Sequence, residues 1–232
     1  ALALAALDRP DLQVVDVGAG TGFATEGIVQ RVDPRGVTML DQSPHQLARA
    51  RAKPALAQVA KQLGDAEALP FSTASFDRYV STGSIEYWPD PQRAIAEAYR
   101  VVRPGGVALV AGPLPPRAAL ARRLADLWML FPTEEQYRGW MTAAGFTDLR
   151  VAFVAPEWHG GGAGAYGIAV AGVKPAAGNS PAACAAAIER VDGRMSLGRR
   201  LRFAGRFVAG SAAGAAFVPI ALVAQLRARL WR

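Results

Sequence analysis

The stretch VVDVGAGTGF, Val14 to Phe23, constrains the fold of this chain more than any other. A short apolar strand carrying one acid, Asp16, runs directly into three glycines spaced two apart, Gly18, Gly20 and Gly22. Glycine takes left-handed backbone without a steric penalty and lets a main chain come close to a ligand. A strand, a glycine loop and then a helical stretch, here about Thr21 to Val32, form the opening unit of a doubly wound α/β fold.

The rest of the first half repeats that rhythm. Val37–Leu40 reads as a second apolar strand, and in SPHQLARARAKPAL Ser43 is placed to cap a helix whose first position is Pro44. FDRYVSTGSIEYW contains a strand ending near Ser81, and PQRAIAEAYRVV is a helix with Ala94, Ile95, Ala98 and Val102 on its inner side. Pro104–Gly106 stop that helix ahead of another strand, and LRVAFVAP and YGIAVAGV read as an antiparallel pair closing the sheet. The expected fold class is α/β, with a doubly wound, mostly parallel sheet. Between these strands, two helices are expected across residues 117–146. The first mixes Arg117, Arg122 and Arg123 with Leu120, Leu124, Leu127, Trp128 and Leu130.

Two ligands suit such a loop, and they ask for opposite charges. A dinucleotide fingerprint requires G-x-G-x-x-G, with its last glycine for helix–strand packing. Counted from Gly18, that position is Phe23. Asp16 at the strand end would repel a pyrophosphate but suits the cationic amino group of S-adenosyl-L-methionine, either alone or while also capping amides of the turn. Asp41 follows the second strand, where an acid accepts both ribose hydroxyls of a nucleoside, and Gln42 stands beside it. In GDAEALPF, Asp65 is placed to accept from an adenine amino group, with the Ala66 amide nearby. The candidate cofactor set is Asp16, Gly18, Gly20, Gly22, Asp41, Gln42, Asp65 and Ala66, and no metal site is expected.

Charge and composition narrow the partners. The net charge is +7, yet up to Gly112 eleven Arg and Lys face twelve Asp and Glu, while from Pro113 onward fifteen face seven. A surplus confined to one half argues against general nucleic-acid binding. The single cysteine, Cys184, excludes an internal disulfide. The chain opens ALALAALDRP without an initiator Met and is read as processed or as a fragment.

The expected organisation is a catalytic domain over 1–175, a Pro/Ala/Gly-rich linker over 176–198 and an anchor over 199–232. In that last segment Phe207 to Leu226 carries no charge, with Arg199, Arg200, Arg202 and Arg206 before it and Arg227, Arg229 and Arg232 after it. A membrane-spanning helix is the favoured reading; a buried or interfacial helix is the alternative.

The acid before G-x-G-x-G, the acid after the second strand and Gly-Asp-Ala after the third together resemble the class I S-adenosylmethionine-dependent methyltransferases. No Asn/Asp-Pro-Pro-aromatic tetrapeptide of the kind found in nucleic-acid and protein-amide methylating enzymes follows the fourth strand. The strings LDQSPHQLA, GDAEALPF, SIEYWPDPQR and DLWMLFPTEEQY are similar to the plastid 2-methyl-6-phytyl-1,4-benzoquinol methyltransferases, from the glycine loop to GVKPAAGNSP. That resemblance implies a seven-stranded sheet, a C-terminal hydrophobic anchor and a plastid inner envelope location. It also implies methylation of a ring carbon of a prenylated benzoquinol on the routes to tocopherol and plastoquinone.

The family's usual cofactor-covering helix ahead of the loop has only Ala1–Pro10 as its counterpart here. Candidate bases for the quinol hydroxyl proton are Glu86, after the fourth strand, and His159, in the glycine-rich connection where the family pattern has an aromatic hydroxyl residue. The alternative for Glu86 is a loop carboxylate paired with an arginine. His45 is placed near the ribose or exposed, and Tyr87 and Trp88 either wall the ring or pack. Competing readings are another lipid-quinone or sterol C-methyltransferase, and a membrane-tethered protein that keeps the fold without turnover.

Overall fold

The computed structural model describes residues 1–115, 130–154 and 167–182. The expected helix around Trp128, His159, Cys184 and the segment from Phe207 to Leu226 lie outside them. Among the described residues no helix is long and apolar enough to cross a membrane.

Seven strands form one sheet: β1 (Val14–Val17), β2 (Val37–Asp41), β3 (Ala60–Leu63), β4 (Phe76–Thr82), β5 (Val102–Pro113), β6 (Thr147–Val154) and β7 (Gly167–Val173). Their order is β3-β2-β1-β4-β5-β7-β6. The first five pair in parallel, and β7 pairs antiparallel with both β5 and β6. The mostly parallel sheet and its closing antiparallel pair agree with the sequence reading. Among the described residues four helices flank it: α1 (Phe23–Ile28), α2 (Pro44–Arg51), α3 (Pro91–Val101) and α4 (Glu134–Ala143).

Central strands buried on both faces read as continuous apolar runs, and their side chains sort by the two-residue period of a strand. Val14 packs with Ile28, Leu47 and Leu56 on the face of α1 and α2, whereas Val15 and Val17 pack with Ile95, Tyr137 and Met141 on the face of α3 and α4. In β5, Val107, Leu109 and Ala111 join the first face, and Ala108 and Val110 the second. Asp16 alternates with Val15 and Val17, so its carboxylate lies on the α1 side.

One local expectation holds atom by atom. Ser43 accepts from the Gln46 amide at 3.3 Å, with Pro44 at the first helical position. Thr133 and Gln136 close a reciprocal capping box that starts α4. Three helix boundaries move, α1 ending at Ile28 rather than about Val32. α1 starts only at Phe23 because Gly22, at φ 85°, takes left-handed backbone. α3 stops at Val101, since Val102 is already extended and opens β5 two residues before Pro104.

Lys174, at the end of β7, is fully buried. Its Nζ donates to the carbonyls of Tyr99 at 2.8 Å and Val102 at 3.0 Å and lies 4.6 Å from the centre of the Tyr99 ring. These carbonyls belong to the C-terminus of α3, where a helix leaves acceptors unpaired and favours a cation. Burial, with Arg100 nearby, lowers the lysine's pKa. Lys174→Met is expected to cost about 2–3 kcal/mol, a fall of roughly 5–10 °C in melting temperature by calorimetry. An unchanged melting temperature would show that water replaces the ammonium there.

Candidate active site

Each glycine of the loop has a different reason to be glycine. Gly18, Gly20 and Gly22 all have positive φ, at 68°, 56° and 85°. A side chain on Gly18 would run into Ser84, and one on Gly22 into Leu56 and Met39. A side chain on Gly20 would meet no atom within 4 Å. The loop is therefore packed against protein on two sides and open at Gly20, where a ligand can lie against bare backbone. Gly18 and Ala19 donate to the Leu40 carbonyl at 2.8 and 3.1 Å, which fixes the loop to the end of β2.

Asp16 is completely buried. Its Oδ2 accepts from the Thr25 hydroxyl at 2.6 Å, while its Oδ1 has no partner. Burial, opposed by the Thr25 bond and reinforced by Asp41, pushes its pKa up to about 6. Of the turn amides expected as an alternative role for Asp16, those of Gly18 and Ala19 go to the Leu40 carbonyl and that of Gly20 goes to Asp41. Its Oδ2 accepts from Gly20 at 2.7 Å and its Oδ1 from Ser43 at 2.8 Å. A carboxylate oxygen can accept more than one hydrogen bond, so both retain capacity for ribose hydroxyls. Gln42, next along, is exposed.

Asp65 forms a turn in which its Oδ1 accepts from Glu67 at 2.9 Å, and Ala66 is buried beside it. This loop is held from α3 by groups the sequence reading did not single out. Glu97 Oε2 accepts from the Leu69 amide at 2.9 Å, and Arg100 donates to the carbonyls of Leu69 and Phe71 at 3.0 and 2.7 Å. Arg100 also grips Glu97 through two bonds, at 2.9 and 2.8 Å. Glu67 Oε1 accepts from the Asp90 amide at 2.7 Å. The available signal was the Glu97–Arg100 spacing of three on an otherwise apolar helix face.

Glu86 sits in a single turn, Ile85–Tyr87, just past β4. It is buried, its Oε2 lacks a partner, and burial lifts its pKa to about 7. No arginine pairs with it among the described residues, so the expected structural alternative is not met there. Tyr137 from α4 lies close by, and its hydroxyl donates to the Pro113 carbonyl at 3.2 Å. Burial, and then the charge of Glu86, raise the pKa of Tyr137 and keep its hydroxyl protonated. Of the other candidates, His45 is exposed on α2, Tyr87 is partly exposed and Trp88 is buried in the core. Two unforeseen serines, Ser81 and Ser84, share a hydrogen bond at 2.6 Å beside the glycine loop.

The four acids follow the order of the sheet: Asp65 after β3, Asp41 at β2, Asp16 on β1 and Glu86 after β4. Three inter-strand spacings make this row about 14 Å wide. A ligand with a nucleoside at one end and a cationic amino acid at the other fits the row. The unpaired, buried Asp16 Oδ1 and the open face of Gly20 are where S-adenosyl-L-methionine would be held.

A sequence family described as "Methyltransferase domain" matches residues 15–110. A rice (Oryza sativa subsp. japonica) protein named 2-methyl-6-phytyl-1,4-hydroquinone methyltransferase 2, chloroplastic, is 52% identical, over 89% of this chain and 60% of its own length. The spinach (Spinacia oleracea) 2-methyl-6-phytyl-1,4-hydroquinone methyltransferase, chloroplastic, is 47% identical over 100% of this chain and 67% of its own. The chain belongs to the 2-methyl-6-phytyl-1,4-hydroquinone methyltransferase family. It spans about 60% of the length of the rice member.

The solved S-adenosylmethionine-dependent methyltransferase from Mesorhizobium loti superposes with a TM-score of 0.60 at 20% identity, covering 74% of this chain and 95% of that one. At that identity the likeness shows the fold alone, and it is the class I methyltransferase fold. This chain carries its acid–glycine row at the carboxyl ends of its strands, and Glu86 stands at the end of that row.

Proposed function

We propose that this protein transfers a methyl group from S-adenosyl-L-methionine to a ring carbon of a prenylated benzoquinol, 2-methyl-6-phytyl- or 2-methyl-6-solanyl-1,4-benzoquinol. This places it in tocopherol and plastoquinone synthesis, in a plastid as its relatives' names say of them, with the inner envelope as the membrane concerned. The observation that carries the reading is Asp16: a carboxylate buried with one oxygen unpaired, beside a glycine with open space before it. Such a group calls for a cation to complete it.

The residues divide the work along the row. Asp41 and Asp65 accept from ribose hydroxyls and the adenine amino group. Asp16 accepts from the ammonium group and so fixes the far end of the cofactor. S-adenosyl-L-methionine, when bound, supplies an electrophilic methyl group. Glu86 then takes the proton of the quinol hydroxyl next to the carbon that is methylated, so that electron density moves from that oxygen onto the ring. The methyl–carbon bond forms as the methyl–sulfur bond breaks, and passage of that ring carbon's own proton back to the oxygen restores the quinol. A carboxylate with its pKa near 7 suits this proton transfer, because half of it is ionised at neutral pH and the ionised half is a stronger base than an ordinary glutamate. Burial of Glu86 keeps water from competing for it. His159 is the second candidate base, and 199–232 is proposed as the bilayer anchor beyond a linker over 176–198.

The test is transfer of labelled methyl to reduced 2-methyl-6-phytylbenzoquinol in detergent, with Asp41→Ala as control. Label is expected at the ring carbon beside the existing methyl. Asp41→Ala, which removes both an acceptor for ribose and the clamp on Gly20 and Ser43, is expected to lower cofactor affinity by roughly a hundredfold. Label on a sterol or on a different quinol, with none on this one, would move the assignment to another lipid C-methyltransferase. Cofactor binding with no transfer to any of them would favour a protein that only binds.

A further inference from the structure

The large apolar side chains that remain exposed are not scattered. Among the described residues they are Phe23, Leu63, Tyr87, Phe153 and Val154, with Phe23 87%, Phe153 57% and Leu63 53% exposed. Leu63 ends β3, Phe23 follows the β1 loop, Tyr87 follows β4, and Phe153 and Val154 end β6. Strand β6 runs parallel to β5, because both are antiparallel to β7. All five residues therefore lie along the carboxyl edge of the sheet, the edge that carries Asp16, Asp41 and Glu86. From β3 to β6 this rim crosses six inter-strand spacings, about 29 Å.

The opposite edge has the reverse character. There Arg78 pairs with Asp8 at 3.4 Å, Arg103 with Asp77 at 2.9 Å and Arg9 with Asp11 at 3.9 Å. Exposed hydrophobic residues occurring singly need no explanation, but a row gathered on one edge, opposite an edge of ion pairs, gives the domain an apolar end and a polar end. Water suits the polar end.

We infer that the carboxyl edge of the sheet is a lipid-docking surface, on which Leu63, Phe23, Tyr87, Phe153 and Val154 enter the outer part of a bilayer so that the substrate ring passes into the site without crossing water. This deepens the proposed function and rests on its lipid-tailed substrate. The occupant is a bilayer rather than a second protein because the rim lies on the edge that carries Asp16, Asp41 and Glu86, to which the hydrocarbon-tailed ring of the proposed substrate has to come. Partial burial of such side chains at the headgroup boundary is how interfacial surfaces bind. The surface is separate from the anchor proposed for 199–232: an anchor tethers the domain, whereas the rim orients it.

Pro113 and Leu130, Val154 and Gly167 all lie at this same edge, so the experiment distinguishes lipid from the chain itself. In full-length protein carrying Cys184→Ser, single cysteines are placed by Leu63→Cys and Phe153→Cys on the rim and by Asp11→Cys and Arg35→Cys on the opposite edge. Each is labelled with an environment-sensitive nitrobenzoxadiazole dye and mixed with phosphatidylcholine vesicles containing a minor share of phosphatidylglycerol. Emission at 63 and 153 is expected to shift to the blue on vesicle addition and to be quenched by lipids carrying a nitroxide high on the acyl chain. Emission at 11 and 35 is expected to stay unchanged.

Equal shifts on both edges, or no shift on the rim, overturn the proposal. Blue emission at 63 and 153 before vesicles are added, indifferent to the nitroxide, means the chain covers its own rim and overturns it as well. Methyl transfer to reduced 2-methyl-6-phytylbenzoquinol carried in the vesicles, and to a water-soluble short-chain analogue, is followed in the same samples. Transfer without embedding overturns the docking surface alone, whereas embedding with no transfer supports the surface and overturns the quinol reading.

Discussion

Glu86→Gln is expected to slow methyl transfer by a factor of about 10² to 10⁴ while leaving S-adenosyl-L-methionine affinity within a few-fold of the parent. The substitution keeps the shape of the side chain and removes only its ability to take a proton. Because burial holds the Glu86 pKa at about 7, kcat/KM of the parent should rise roughly tenfold per pH unit up to about 7 and then level off. The sign follows from the role: a base works ionised, so activity appears as pH climbs through its pKa. In the variant this limb should vanish. Stability runs the other way, since a carboxylate whose pKa is raised by folding favours the folded state at low pH and loses that contribution as pH rises through about 7. Glu86→Gln should therefore melt at or above the parent temperature in alkaline buffer. A limb that survives in the variant would assign the proton to another group, and an equal variant with Tyr137→Phe would separate the hydroxyl nearby from the carboxylate.

Asp16→Asn should weaken cofactor binding by at least about a hundredfold, measured by titration calorimetry, and should at the same time stabilise the cofactor-free protein. The reason is that Asp16 is fully buried, and its ionised form is held against burial by a single hydroxyl, that of Thr25. Raising a pKa from 3.8 to about 6 costs the folded, ionised state about 3 kcal/mol above pH 6. An amide of the same shape avoids that cost but offers a cation no opposite charge. Parent affinity should fall tenfold for each pH unit below about 6, where the carboxyl protonates, and the variant should be weak and flat across that range. Loss of binding together with a lower melting temperature would contradict this account, because it would make Asp16 a structural support rather than a group kept strained for its ligand.

Some of this was open to inspection in the chain itself. The glycine loop, the acid two residues ahead of it and the acid at the end of the next apolar run named the cofactor class, because backbone conformation and charge at a strand end are local properties. Ser43–Pro44 started a helix for the same reason. Local signals were weaker at helix ends: α3 stopped before Val102 because a residue near Pro104 prefers extended backbone, which the apolar spacing alone did not reveal. The exposed edge strand β3, AKQL, has no alternation to announce it and exists because β2 offers it a ladder.

What the sequence by itself determined is the order of the acids along the chain: Asp16 ahead of the glycine loop, Asp41 at the end of the second strand, Asp65 after the third and Glu86 after the fourth. Each is a residue type at the end of an apolar run, and each can be read without knowing its neighbours in space. The tertiary structure decided which oxygens are free. Packing buried Asp16 with one oxygen unpaired, lent both oxygens of Asp41 to the backbone of Gly20 and Ser43, and closed Glu86 off from solvent beside Tyr137. It also clamped the Asp65 loop through Glu97 and Arg100, and set five apolar side chains in a row beside the site. Burial and hydrogen-bond partnership depend on residues far apart in the chain, and those two quantities turn a carboxylate into a cation holder or a base.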